Sequence, residues 1–150
     1  MNDVEFMREA LHEAELAAAA GEVPIGAVAV RDGVIVARAH NRVEEKKSVS
    51  SHAEFELLRQ LETRDNDWRM SDYTFYITKE PCPMCAGMLI NARVKRVVFG
   101  VSDPASGGMG GAFDLNQVPG LLWHCDVTAG VCADEALEMI RNFFRERRNK

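Results

Sequence analysis

Apolar residues recur along the chain at two spacings, and the switches between them set out an order of elements. From residue 3 to 20, Phe6, Met7, Ala10, Leu11, Ala14 and Ala17 follow helical spacing, and Gly21 supplies a stop. Ile25–Val30 and Val34–Ala39 are apolar and rich in β-branched residues. Arg31-Asp32-Gly33 joins them as an Asp-Gly hairpin turn. Arg42–Ser51 is polar and reads as a loop. His52–Leu61 then carries Phe55, Leu57, Leu58 and Leu61 on one broad side, which predicts a second helix beginning at His52. The stretch Thr63–Ser71 is polar again, with Trp68 expected to pack inward.

Tyr73–Thr78 predicts a third strand, Cys82–Asn91 a third helix after Pro81, and Arg96–Val101 a fourth strand. Strand, crossover helix and strand imply a parallel pair with a right-handed connection. Ser102–Gly120 is Gly-rich and irregular, and a weak last strand falls near Leu122–Thr128. Ala133–Arg147 closes the chain as a helix, with Ala136, Leu137, Ile140, Phe143 and Phe144 assigned to its inner side. This order describes an α/β fold of three layers, α/β/α, with a mixed sheet of about five strands covered on both faces. Residues 1–150 read as a single domain.

Apolar residues make up 47% and charged residues 27% of the 150, an ordinary globular balance. No apolar stretch approaches the ~20 residues of a membrane span. The start, Met1-Asn2-Asp3-Val4-Glu5, lacks the basic-then-apolar order of a signal peptide, so a cytoplasmic location is expected. The formal net charge of -5 argues mildly against nucleic acid, although a local basic patch would suffice.

Two short motifs carry candidate chemistry: His52-Ala53-Glu54 and Pro81-Cys82-Pro83-Met84-Cys85. Cysteines at i and i+3 share one side of a helix, and Pro81 and Pro83 suit a helix starting there. The free N–H groups of that first turn favour thiolates, which zinc binds at about 2.3 Å. A catalytic zinc takes a third protein ligand and leaves a place for water; His52 is the natural third. Residues two apart in mid-helix point about 200° from each other, so His52 and Glu54 converge only where a helix end faces the metal. Glu54 can then move protons between a water, a ring nitrogen and a leaving amine. These parts suffice for hydrolytic deamination. Cys-x-x-Cys alone could instead be redox-active, or half of a structural zinc site in a non-catalytic binding module. That site would need His40, His124, Cys125 or Cys132 to complete it.

With its His-Ala-Glu and Pro-Cys-x-x-Cys motifs, the sequence resembles the cytidine deaminase-like superfamily. Within it, the chain is similar nearly end to end to bacterial tRNA adenosine deaminases, which convert wobble adenosine to inosine. The similarity includes Glu22-Val23-Pro24-Ile25-Gly26-Ala27-Val28, Asn41-Arg42, Glu80 to Gly87, Arg96 to Gly100, Asp103 and Phe143-Phe144-Arg145. The resemblance implies a zinc hydrolase with His52, Cys82 and Cys85 as ligands and Glu54 as proton shuttle. It implies that Asn41 and the Ala53 backbone bond the target base and that Val23 walls its pocket. It places Asp103 and Phe144 along the nucleotide cleft, and implies a homodimer whose partner is a tRNA anticodon loop. The sequence departs from that branch at Ser48-Val49-Ser50-Ser51, where Asp-Pro-Thr-Ala is usual, at Val43 for proline and at Lys79 for leucine. A deaminase of a free base or nucleoside, such as guanine or cytosine, therefore stays open.

Smaller signals divide two ways. Arg141, Arg145, Arg147, Arg148 and Lys150 form either a phosphate-contact patch or a plain charged helix end. Ser106-Gly107-Gly108-Met109-Gly110-Gly111 lacks the strand-to-helix context of a phosphate cradle and reads as a flexible loop. Cys125 and Cys132 read as buried thiols. Phe143 and Phe144 cannot both face one side, so one is core and the other a ring free to contact a base.

Overall fold

The computed structural model describes residues 1–148, so Lys150 of the basic tail lies outside the described residues. Helix α1 spans Asp3–Ala19 and starts in a capping box between Asn2 and Glu5. Strands β1 (Gly26–Arg31) and β2 (Val34–His40) form the expected hairpin. Its two turn residues, Asp32 and Gly33, have φ of 53° and 75°, the left-handed pair that a two-residue hairpin requires. Then come α2 (Val43–Lys46), α3 (Ala53–Asp65), β3 (Thr74–Lys79), α4 (Pro83–Asn91) and β4 (Arg96–Val101). A short 3-10 turn (Leu115–Gln117), β5 (Asp126–Thr128) and α5 (Ala133–Arg148) complete the order.

The five strands form one mixed sheet in the order β2-β1-β3-β4-β5. β1 pairs antiparallel with both β2 and β3, while β3, β4 and β5 run parallel. Strict alternation splits the core in two. Ala27, Ala29, Phe75, Ile77, Val97 and Phe99 face Leu57 and Leu61 of α3 and Leu89 and Ile90 of α4. Val28, Val30, Tyr76 and Val98 face the opposite way, onto Phe6, Met7 and Ala10 of α1. Helix α5 packs beside α1 against β3 and β4. The sheet is thus covered on both faces, as its hydrophobic pattern predicts.

The structure differs from the sequence reading at several places. Arg42–Ser51 holds a helical turn, α2, because the buried Glu22 carboxylate accepts the backbone N–H groups of Glu44 and Glu45 at 3.0 and 2.8 Å. A cap supplied from twenty residues away leaves no local signal. Helix α3 runs on to Asp65, through polar residues whose outer face is solvated. Trp68 does not pack inward: it is 44% exposed, with the guanidinium carbons of Arg69 and Arg93 at 4.7 and 5.5 Å from its ring centroid. The two cations give the indole a partner at the surface that burial would remove. Cys125 is buried, but Cys132 is only half-buried, at a left-handed φ of 56° just before α5.

Candidate active site

Two helix N-termini meet beyond the sheet. His52 is the N-cap of α3, in extended conformation with φ -67° and ψ 158°. Cys82 is the N-cap of α4, with φ -69° and ψ 170°, and Cys85 stands one turn on. Pro83 at the first helical position of α4 gives up an N–H that no carbonyl could have received. Because His52 lies outside the helical spiral, its ring and the Glu54 side chain can converge, which two residues within α3 could not.

His52 Nδ1 lies 3.7 Å from Cys82 Sγ and 3.4 Å from Cys85 Sγ. A tetrahedral ion with zinc's bond lengths holds sulfur and nitrogen about 3.6 Å apart. The three ligand atoms lie within 4.8 Å of one another, so this donor set fits such an ion. Among the described residues it is the one such group: Cys132 packs with the α1 cluster on the other face of the sheet, and the other three residues that could close a four-ligand site have partners elsewhere. His40 Nδ1 is 3.3 Å from Glu13, His124 Nδ1 is 2.6 Å from the Asn116 carbonyl, and Cys125 Sγ faces the Leu89 carbonyl.

The charges suit a cation. The Cys85 thiol, then His52 and the Cys85 backbone N–H, donate toward Cys82 and hold its pKa at about 4 against the effect of burial. Cys85, sharing its proton with Cys82 and buried, is pushed up. His52 is raised by its bond to Cys82, with burial opposing. Glu54, 4% exposed in the first turn of α3, is raised chiefly by burial. A metal ion would displace these protons from sulfur and imidazole.

An open concavity reaches this group. His52, Ala53, Asn41, Val23, Ile25 and Val43 line it, with Gly21, Glu22, Glu44 and Arg147 completing the wall. Asn41 is 6% exposed. Its Nδ2 donates to the Val23 carbonyl at 3.5 Å, while its buried Oδ1 has no partner among the described residues. The concavity therefore holds an unmet acceptor, an arrangement that costs stability unless a ligand supplies a donor.

Asp103 and Phe144 do not line this concavity. The Asp103 carboxylate accepts from the Ala105 and Ser106 backbone and the Ser106 hydroxyl, and pairs with Lys79 Nζ at 3.1 Å. These partners, with the Ser106 hydroxyl foremost, hold its pKa well below the usual carboxylate range. Phe143 is the core ring at 7% exposure; Phe144 is 43% exposed in a separate depression with Ile140, Arg141, Arg145 and Arg148. Sequence reasoning missed Glu22, Ile25, Val43 and Glu44 as wall residues and read Arg147 as part of a phosphate-contact patch or a charged helix end, not as a wall residue. Their placement follows from the cap of Glu22 on α2 and from the docking of α5, neither of which leaves a periodic trace.

Residues 1–148 match the family model of MafB19-like deaminases. The chain is 43% identical over 145 residues to the tRNA-specific adenosine deaminase of Bacillus subtilis strain 168, covering 97% of this chain and 90% of that protein. A solved structure of a tRNA:A34 deaminase, which edits A to I at the wobble position of transfer RNA, superposes with a TM-score of 0.87. It shares 36% identity over 90% of this chain and 98% of its own. The guanine deaminase of Bacillus subtilis superposes at a TM-score of 0.65, with 27% identity over 79% of this chain and 86% of its own.

Proposed function

The chain belongs to the MafB19-like deaminase family, and on that premise we propose that it is a zinc-dependent hydrolase converting adenosine to inosine at the wobble position of tRNA. The observation that carries the reading is the triangle of His52, Cys82 and Cys85 with Glu54 buried beside it and an open concavity in front. Its length-wide identity to tRNA-specific adenosine deaminases favours adenosine in RNA over a free base. All 150 residues then serve as one deaminase domain.

His52, Cys82 and Cys85 would hold zinc, which when bound supplies Lewis-acid activation of a water. Glu54 takes a proton from the attacking water and delivers it to the ring nitrogen N1 of adenine as the water oxygen bonds to C6; it then takes the proton of that new C6 hydroxyl and passes it to the amine as the C6–N bond breaks. Adenosine and water become inosine and ammonia, and Glu54 ends as it began. Burial equips Glu54 for this by narrowing the gap between its charged and neutral forms. Asn41 Oδ1 accepts a hydrogen bond from the base, and the Ala53 N–H, first in α3 and free of an intrahelical partner, donates one. Val23, Ile25 and Val43 supply apolar walls for the ring.

The base must leave its stack to enter, so the substrate is a single-stranded loop. Arg147 at the concavity and Arg141, Arg145 and Arg148 around exposed Phe144 provide phosphate contacts and a stacking face outside the pocket. Asp103 would border the same strand. The enzyme acts as a homodimer, a reading supported by exposed Met84, Phe113 and Leu122 at 38%, 55% and 88%, and a tRNA substrate puts it in the cytoplasm. No helix of the described residues is long and apolar enough to cross a membrane.

Incubating the zinc-loaded protein with an adenosine-34 anticodon stem-loop and sequencing for inosine tests the function. Inosine at position 34 is expected. Zinc-loaded protein that leaves the RNA unchanged while releasing ammonia from guanine would transfer the reading to a free-base deaminase.

A further inference from the structure

Glu80 is a carboxylate with no place in the chemistry above, yet it is among the most enclosed polar groups of the chain, at 3% exposure. It lies between β3 and the Pro81-Cys82 turn. Its Oε1 accepts the Asp103 N–H at 2.9 Å, and its Oε2 accepts those of Met109 and Gly111 at 2.9 and 2.8 Å. Three backbone donors converging on one carboxylate form an anion cradle that the protein fills with its own side chain.

The glycines around it serve close approach rather than looseness. A Cβ on Gly107 would overlap the Glu80 carboxylate, and one on Gly111 would sit 2.5 Å from Glu80 Oε1. A Cβ on Gly108 would lie 2.9 Å from the Ala86 Cβ and 3.0 Å from both the Cys82 carbonyl oxygen and the Pro83 Cα. The Gly108 N–H also donates to the Pro81 carbonyl at 2.7 Å. The segment read from sequence as a flexible loop is therefore wrapped on Glu80 and seated on the first turn of α4, where Cys82 and Cys85 stand.

We propose that Glu80 is a positioning residue for the metal-bearing turn: it gathers residues 103–111 into a clamp that fixes the two cysteine sulfurs relative to His52. The proposal rests on the zinc reading, because a pre-set triangle matters only if an ion occupies it. Groups that orient metal ligands without touching the metal commonly change affinity about 10- to 100-fold when removed. In Glu80→Gln the single amide oxygen can accept on the Asp103 side or on the Met109 and Gly111 side but not both, so at least one of the three bonds fails and the carboxylate charge that strengthens the others is lost.

Zinc transfer from the purified holoenzyme to a chromogenic chelator measures the effect, with hydrogen exchange at Asp103, Met109 and Gly111 read in parallel. Glu80→Gln is expected to weaken zinc binding about 10- to 100-fold and to lose protection at one or more of these amides. A destabilised control, Leu58→Ala, with the same fall in melting temperature, is expected to keep zinc affinity within about twofold, because Leu58 sits by Trp68 away from the α4 first turn. Unchanged zinc affinity in Glu80→Gln, or an equal loss in the control, overturns the proposal. If Glu80→Gln does not fold, Gly111→Ala crowds the same cradle with Glu80 intact and decides by the same readings. Wild-type protein that holds zinc but makes no inosine refutes the function alone; wild-type affinity in Glu80→Gln refutes this inference alone.

Discussion

Replacing Glu54 by glutamine separates proton transfer from metal binding. The amide keeps the size of a side chain that is 4% exposed, and Glu54 is not among the three ligand residues, so one zinc per chain should remain. General acid–base catalysis by one group is worth about 10²–10⁴-fold. Glu54 serves both the water and the leaving amine, which puts the loss at the upper end, about 10³-fold or more. At about 1.4 kcal/mol per decade, that is roughly 4 kcal/mol of transition-state stabilisation. Stability moves the other way. Burial raises the Glu54 pKa, so above its unfolded value of about 4.3 the ionised form weighs against the fold, and in the zinc-free protein the amide removes that penalty. Single-turnover inosine formation on an anticodon stem-loop, zinc per chain and a melting curve report the three effects. Activity within tenfold of wild type, or loss of zinc with the carboxylate, would refute the assignment.

Asn41→Leu should raise KM for the stem-loop at least tenfold while the free protein melts no lower, because removing an unpaired buried acceptor worth about 1–3 kcal/mol offsets the loss of the long 3.5 Å bond to the Val23 carbonyl; a KM within about twofold of wild type would exclude a role for Asn41 in holding the base. Gly26→Ala drives a Cβ into the Ala10 carbonyl and to 2.5 Å from the Ala14 nitrogen, so α1 must lift from β1 at a cost of about 1–3 kcal/mol. Urea titration should show that loss, and unchanged stability would argue against the close seating. Asp3 is held below its usual pKa by hydrogen bonds from Arg96 and Tyr76, with Arg96 foremost. The stability it adds is full above its unfolded pKa of about 3.9 and is lost as pH falls through the lower folded value. Asp3→Asn should therefore be less stable at pH 7, and the difference should close in acid; a constant offset would exclude the linkage.

The sheet and its two helical layers were legible because alternation in β1, β3 and β4 coincides with the two faces that α1 and α3 bury. Helix α4 announced itself through Pro81 and Pro83, and the meeting of His52 with Cys82 and Cys85 followed from ligand chemistry. What stayed hidden depends on contacts distant in sequence. Helix α2 exists through Glu22, and the loop 103–111 is ordered through Glu80, each a buried carboxylate capping backbone donors about twenty to thirty residues away. Trp68 was misplaced because pattern reading assigns a lone indole to the core, whereas Arg69 and Arg93 hold it at the surface. Phe143 and Phe144 could not be told apart until the seating of α5 put one ring inside.

X-ray absorption at the zinc edge of the purified protein probes the triangle itself. One zinc per chain should show two sulfurs at about 2.3 Å, one imidazole nitrogen at about 2.0–2.1 Å and one light-atom scatterer from solvent. A shell of four protein ligands, or a metal bound without both sulfurs, would contradict an open site built from His52, Cys82 and Cys85.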